Sequence, residues 1–164
     1  MPSRRKSREF VLQVLFAADA RKQDPAEVWE MLERHFESDP EEVVKMRRVV
    51  KEFARDLVLA VSRDMKVIDE LIAHLSHHWK LYRINRVDRN VLRMAIAEIT
   101  NFPEIPTRVI LNEAVDIGKK YGAENSSAFI NGILDKIHAL EPRPTSATHL
   151  REIITKLDES VTTV

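Results

Sequence analysis

Apolar positions in this chain recur every three or four residues almost from end to end, the spacing of helices that bury one face. Over residues 7–20 they come more densely. Val11, Leu12, Val14, Leu15, Phe16 and Ala18 leave a thin polar strip containing Glu9 and Gln13. A helix apolar around most of its circumference belongs in the middle of a bundle. Asp24-Pro25-Ala26-Glu27 then supplies an N-cap, a proline at the first helical position and an acid at the third, with Val28, Trp29, Leu32 and Phe36 as the buried stripe. Asp39-Pro40-Glu41-Glu42 repeats the start signal. The stripe after it runs Val43, Met46, Val50, Phe53, Leu57 and Val61, then Ile68, Leu71, Ile72 and Leu75. No glycine or proline interrupts it, so one long helix or two nearly collinear ones to about His77 fit equally.

An aromatic, basic connector (residues 77–84) leads to Asn85 and Asp88, which read as cap and third position of a helix burying Val91, Leu92, Ala95, Ile96 and Ile99. Phe102-Pro103-Glu104-Ile105-Pro106 ends it, and Thr107 is expected to cap the next helix, which runs to Tyr121. Gly122 stands where a left-handed C-terminal glycine is expected. A last core helix over residues 126–139 buries Phe129, Ile130, Ile133, Leu134 and Ile137, and in it Asn131 and Gly132 read as permitting close helix packing. Residues 141–148 form a proline-containing linker. Leu150, Ile153, Ile154 and Leu157 follow as a short amphipathic segment with no obvious claim on the core. The fold class is all-α, six or seven helices in one domain of two sub-bundles.

At 164 residues and 19.0 kDa the chain fits one domain. The absence of cysteine excludes a disulfide scaffold, a thiol nucleophile and thiolate metal sites. No apolar run approaches the length of a membrane span and no signal-type segment follows the basic N-terminus, so a cytoplasmic protein with no membrane partner is expected. Net charge is zero, but it is segregated. Arg4, Arg5, Lys6 and Arg8 make residues 1–8 wholly basic; residues 24–42 are strongly acidic; and Lys80, Arg83, Arg86, Arg89 and Arg93 outweigh Asp88 in the connector and the helix after it. Such a protein can present a local basic face while the rest of its surface repels polyanions.

Catalytic signals are missing. There is no glycine-rich phosphate loop, no nucleophile elbow and no serine beside a plausible relay, and Ser126-Ser127 are placed to cap a helix. His74, His77 and His78 have chelating spacing without a second ligand set, so no metal and no cofactor is expected. Nucleic-acid signals are better. Arg4, Arg5 and Arg8 project from the first turns of a helix whose remainder is buried, and arginine's planar fork suits phosphate oxygens. These positions precede the buried run, so replacing Arg5 and Arg8 should leave folding largely intact. Three neutralised phosphates would give a single-strand salt slope of about −2. Trp79, Tyr82, Tyr121 and Phe129 add rings on which unpaired bases stack, although Trp79 and Phe129 read equally as core.

Three ordered stretches over roughly residues 3–140 resemble the bacterial transcription antitermination factor family NusB. They are RRKSREFVLQVLFAAD (4–19), WKLYRINRVDRNVLRMAIAEI (79–99) and IPTRVILNEAVDIGKKYGAENSSAFINGILDKI (105–137), the last being the most specific. The resemblance implies a single NusB-like domain of about seven helices in two sub-bundles, spanning 1–140, with 141–164 as linker and tail. It implies no enzymatic activity. It also implies binding of single-stranded boxA RNA from ribosomal-operon leaders together with NusE, a small-subunit ribosomal protein, within the RNA polymerase elongation complex and its other Nus factors. Carried over by position, RNA contacts fall on Arg4, Arg5, Arg8, Tyr121, Asn125, Ser126 and Phe129, and NusE contacts on Phe16 and Asp88. Asn125 stands where some members carry an acid, and loss of that charge favours RNA. The rival readings are a detached relative of the NusB-like domain of RNA cytosine methyltransferases, which would need a catalytic cysteine this chain lacks, and a protein–protein scaffold or homodimer without RNA affinity of its own. Because the recognised RNA elements precede residue 140, the tail is expected to be dispensable for binding.

Overall fold

The computed structural model describes residues 2–38, 48–77, 80–140 and 142–162. Among the described residues there are helices α1 (Pro2–Arg21), α2 (Pro25–Ser38), α3 (Arg48–Leu75), α4 (Arg86–Asn101), α5 (Thr107–Tyr121), α6 (Ser126–His138) and α7 (Ala147–Thr162), one 3-10 turn at Leu81–Arg83, and no strand. The chain divides into two compact units, Met1–Arg63 and Asp64–Val164, so the division falls inside α3. The all-α, two-bundle expectation is met.

In the first unit α1 packs on α2. Its core comprises Val11, Leu12, Val14, Leu15 and Ala18 of α1, Val28 and Trp29 of α2, and Ala54, Leu57, Val58 and Val61 of α3. Trp29 stands edge-on to Phe10 with ring centroids 5.8 Å apart, a favoured aromatic geometry. Asp24 caps α2 as expected, its Oδ1 accepting the Ala26 N–H at 2.9 Å, and it also accepts the Ser62 hydroxyl, which ties the cap to α3. The third start signal, Asp39 to Glu42, and the stripe positions Val43 and Met46 lie outside the described residues. From Arg48 to Leu75 the stripe lies on one uninterrupted helix of 28 residues.

In the second unit α4 packs on both α5 and α6, which also pack on each other. Every residue of α4 from 88 to 100 is buried, far more than the five-residue stripe implied. That burial takes in Arg89, Asn90 and Arg93, and buried polar groups require partners. Arg89 Nη1 donates to the carbonyls of Leu81 (3.0 Å) and Ile84 (3.1 Å), pinning the connector. Arg93 grips both carboxylate oxygens of Asp69 at 2.7 and 2.9 Å and donates to Asn90 Oδ1 at 3.0 Å. The basic stretch around α4 is therefore not a continuous basic face, because two of its arginines are structural. Asn85 caps α4 as expected, accepting the Val87 N–H at 2.8 Å.

Two local expectations differ. Thr107 is the first residue of α5, and the cap position belongs to Pro106, with no side-chain bond. Gly122 is extended (φ −92°, ψ −167°), not left-handed. The residue is needed for room: a Cβ there would run into Ser126 Oγ and lie 2.6 Å from the Gly118 carbonyl oxygen.

The tail also has a place in the core of this unit. Leu150, Ile153 and Ile154 of α7 are buried. Arg143, in the linker, donates to the carbonyls of Ile99 (3.0 and 2.9 Å), Phe102 (3.1 Å) and Ile105 (2.7 Å), tying the linker to the last turn of α4 and the loop that follows it. At the other end of α7, Asp158 bonds His74 Nε2 at 2.6 Å, and the Glu70 carbonyl accepts Nδ1 at 2.8 Å. The Glu70 carbonyl bond, helped by Asp158 and opposed by partial burial, holds the His74 imidazolium above its usual 6.5. A pKa raised on folding adds stability that is complete below the unfolded value and lost as pH rises through the folded one. Hydrogen exchange of α7 amides should therefore be better protected at about pH 6 than at about pH 8. Asp158→Asn should shrink that difference. The pair is half exposed, so the effect stays below about 1 kcal/mol.

Candidate nucleic-acid interface

In the first unit, the basic residues sit in the opening turns of α1, whose first turn carries no acid. This inverts the stabilising arrangement, since a helix N-terminus carries partial positive charge and favours anions. A polyanion placed there would be favoured by the dipole and by the cations together. Arg4 and Arg8 are four residues apart and share a helix face. Their guanidinium carbons lie 5.1 and 5.6 Å from the centroid of the Phe53 ring of α3, a cation–π pairing that orients both. The Ser7 hydroxyl donates to the Val50 carbonyl at 3.1 Å, fixing the same turn. Arg4 is exposed and Arg5 half-buried, whereas Arg8 is only 4% exposed. The expectation that Arg8 is a surface residue replaceable without effect on folding is thus corrected. Phe53, read from the sequence as one more stripe position, is the residue that orients the arginines.

In the second unit, the candidate positions cluster where α5 hands over to α6. Tyr121 is 40% exposed with Lys120 Nζ 5.1 Å above its ring. Asn125 is exposed at the start of α6, and Phe129, one turn later, is half-buried. Ser126 differs: it is 1% exposed and its hydroxyl is engaged inside the unit, accepting the Ala123 N–H at 2.8 Å and donating to the Asp88 carboxylate. Asp88 is likewise buried, and its Oδ1 has no hydrogen-bond partner among the described residues. Burial pushes the Asp88 carboxyl above its usual range, the Ser126 bond acting the other way. A carboxylate held in that state costs stability at neutral pH. Neither Ser126 nor Asp88 offers its side chain to a ligand here; together they fix the loop that carries Tyr121 and Asn125.

Phe16 is the counterpart in the first unit. Although it falls in the densest apolar run of α1, it is 39% exposed. Of the three histidines with chelating spacing, His74 is occupied by Glu70 and Asp158, and His78 lies outside the described residues. No helix among the described residues is long and apolar enough to cross a membrane.

These features define a class: an all-α protein of two helical units, with oriented arginines in one and an exposed aromatic and amide at a helix junction in the other. The chain belongs to the NusB family, whose profile matches residues 5–139. It is 40% identical over 148 residues to the transcription antitermination protein NusB of Myxococcus xanthus, covering 88% of this chain and all of that one. Among solved structures, NusB of T. maritima superposes with a TM-score of 0.71 at 33% identity, over 90% of this chain and 96% of the other. A crystal structure of the antitermination factors NusB and NusE in complex with double-stranded RNA matches with a TM-score of 0.67 at 29% identity, over 83% and 96%.

Proposed function

We propose that this chain is a transcription antitermination factor that binds the boxA element of ribosomal-operon leader RNA jointly with NusE and acts, without catalysis or cofactor, on the elongating RNA polymerase complex. The observation that carries the reading is the cationic N-terminus of α1, held against Phe53 with no acid in its first turn. Folding alone gives no reason to place like charges at the positive end of a helix dipole, whereas a polyanionic ligand does. Arg4 and Arg5 take phosphates; Phe53 orients Arg4, and Arg8 packs on the same ring from inside the unit. Tyr121 and Phe129 offer rings for unpaired bases, and Asn125 offers an amide for base edges. Ser126 serves by its place at the start of α6, where backbone N–H groups face solvent or ligand. Phe16 is the apolar contact for NusE. Asp88 supports the same assembly from behind, through Ser126.

The test is a mobility-shift titration of a boxA RNA and a scrambled RNA, each with and without NusE. The boxA RNA is expected to shift weakly with this chain alone and tightly with the NusE mixture, and the scrambled RNA to shift in neither. If RNA mobility is unchanged in every lane, the chain is a protein–protein scaffold and the reading fails.

A further inference from the structure

Two of the three glycines have a packing reason. A Cβ on Gly118 would run into Ile130 Cδ1, and Gly122 faces Ser126. Gly132 has none. It lies in the interior of α6, it is exposed, and a Cβ built on it meets nothing within 4 Å among the described residues. The close helix packing expected of it is therefore overturned. An exposed glycine inside a helix weakens that helix relative to alanine with no compensation in the folded chain. Its neighbours supply a reason. Asn125, Phe129, Gly132 and Lys136 follow one another at spacings of four, three and four residues, which puts them along one flank of α6. The stripe thus reads amide, ring, bare backbone, cation. Lys136 Nζ is anchored on the Leu75 carbonyl at 2.6 Å, which holds its charge at the end of the stripe.

We infer that Gly132 is a seat for single-stranded RNA: a nucleotide stacked on Phe129 runs its sugar–phosphate across the bare backbone of α6 at Gly132 toward Lys136, in space that any side chain would occupy. The inference rests on the RNA-binding reading above and extends it one helical turn along α6. The occupant is a nucleic acid strand because the stripe continues the ring and amide of that interface and ends in a cation.

Gly132→Ala and Gly132→Leu in the full chain test it, since both residues are strong helix formers projecting into open space. Gly132→Ala is expected to raise the thermal midpoint by about 1–4 °C. Affinity for a boxA RNA in the presence of NusE is expected to fall, about tenfold for alanine and further for leucine. Asn131→Ala, on the other flank, should bind within about twofold of the parent. The opposite signs of the stability and affinity changes are the signature. If both glycine variants are stabilised and bind RNA like the parent, Gly132 is no seat and the inference falls while the RNA-binding reading stands. Failure of Gly132→Ala to gain stability would refute the open space on which it depends, and equal losses in Asn131→Ala would refute its locality. A parent chain that binds no boxA RNA overturns the RNA-binding reading and this inference together.

Discussion

Asp69→Ala is expected to destabilise the second unit by about 3 kcal/mol, the low end of the range for removing one partner of a buried ion pair. Asp69 receives both arms of the Arg93 fork at 2.7 and 2.9 Å, and the Arg93 side chain is only 9% exposed. Truncation leaves a cation inside the unit, still bonded to Asn90 but without its carboxylate, and water reaches it poorly. In a chain of this length that energy corresponds to a drop of roughly 6–12 °C in the thermal midpoint. Arg93→Lys should recover little of the pair, because an ammonium cannot engage two oxygens in one plane. Thermal unfolding followed by circular dichroism reads the effect, and a change below about 0.5 kcal/mol would show that the pair is solvated.

The second large effect falls on RNA. Phe129→Leu keeps the apolar bulk that covers the flank of α6 but removes the ring. Stacking of a base on an aromatic side chain contributes about 1–3 kcal/mol, so affinity for boxA RNA should fall between about fivefold and about 150-fold with the fold intact. Phe129→Tyr retains the ring and should bind close to the parent. Equal affinities for Phe, Tyr and Leu at this position would mean that the ring is core and no base stacks there. Fluorescence anisotropy with a labelled RNA separates these outcomes.

Much of the fold was legible because its start signals are local. Asp24 and Asn85 announce α2 and α4 through cap geometry that depends on two or three adjacent residues. Helical spacing identified most of the apolar core. What was not legible depends on residues far apart in the chain. The burial of α4 on all sides follows from two other helices packing around it, so Arg89 and Arg93 looked like a basic face when they are interior. Arg143 lies in a linker whose prolines say only that no helix continues, and nothing in the linker signals the three carbonyls it satisfies. Gly122 was placed by the rule for helix ends, yet its reason is the nearness of Ser126.

The candidate interface was legible in its residue types and not in their burial. The resemblance assigns Arg8, Ser126 and Asp88 to the interface by position, but all three are interior. Phe16 shows the reverse, an apolar residue in a core-like run that stays 39% exposed. Phe53 and Gly132 carried no signal of their own. One is an ordinary stripe position, and the other looks like packing until the empty space around it is seen.

The most direct test of the central claim is the salt dependence of boxA RNA binding by the chain with NusE, compared with the Arg4→Ala, Arg5→Ala double variant. With Arg8 interior, two arginines remain to neutralise phosphates, and each contributes about 0.7 to the single-strand slope of log affinity against log salt. The double variant is expected to bind boxA more weakly and to flatten the slope by about 1.4, while the fold and NusE binding are retained. An unchanged slope in the double variant, or parent binding as tight to scrambled RNA as to boxA, would contradict it.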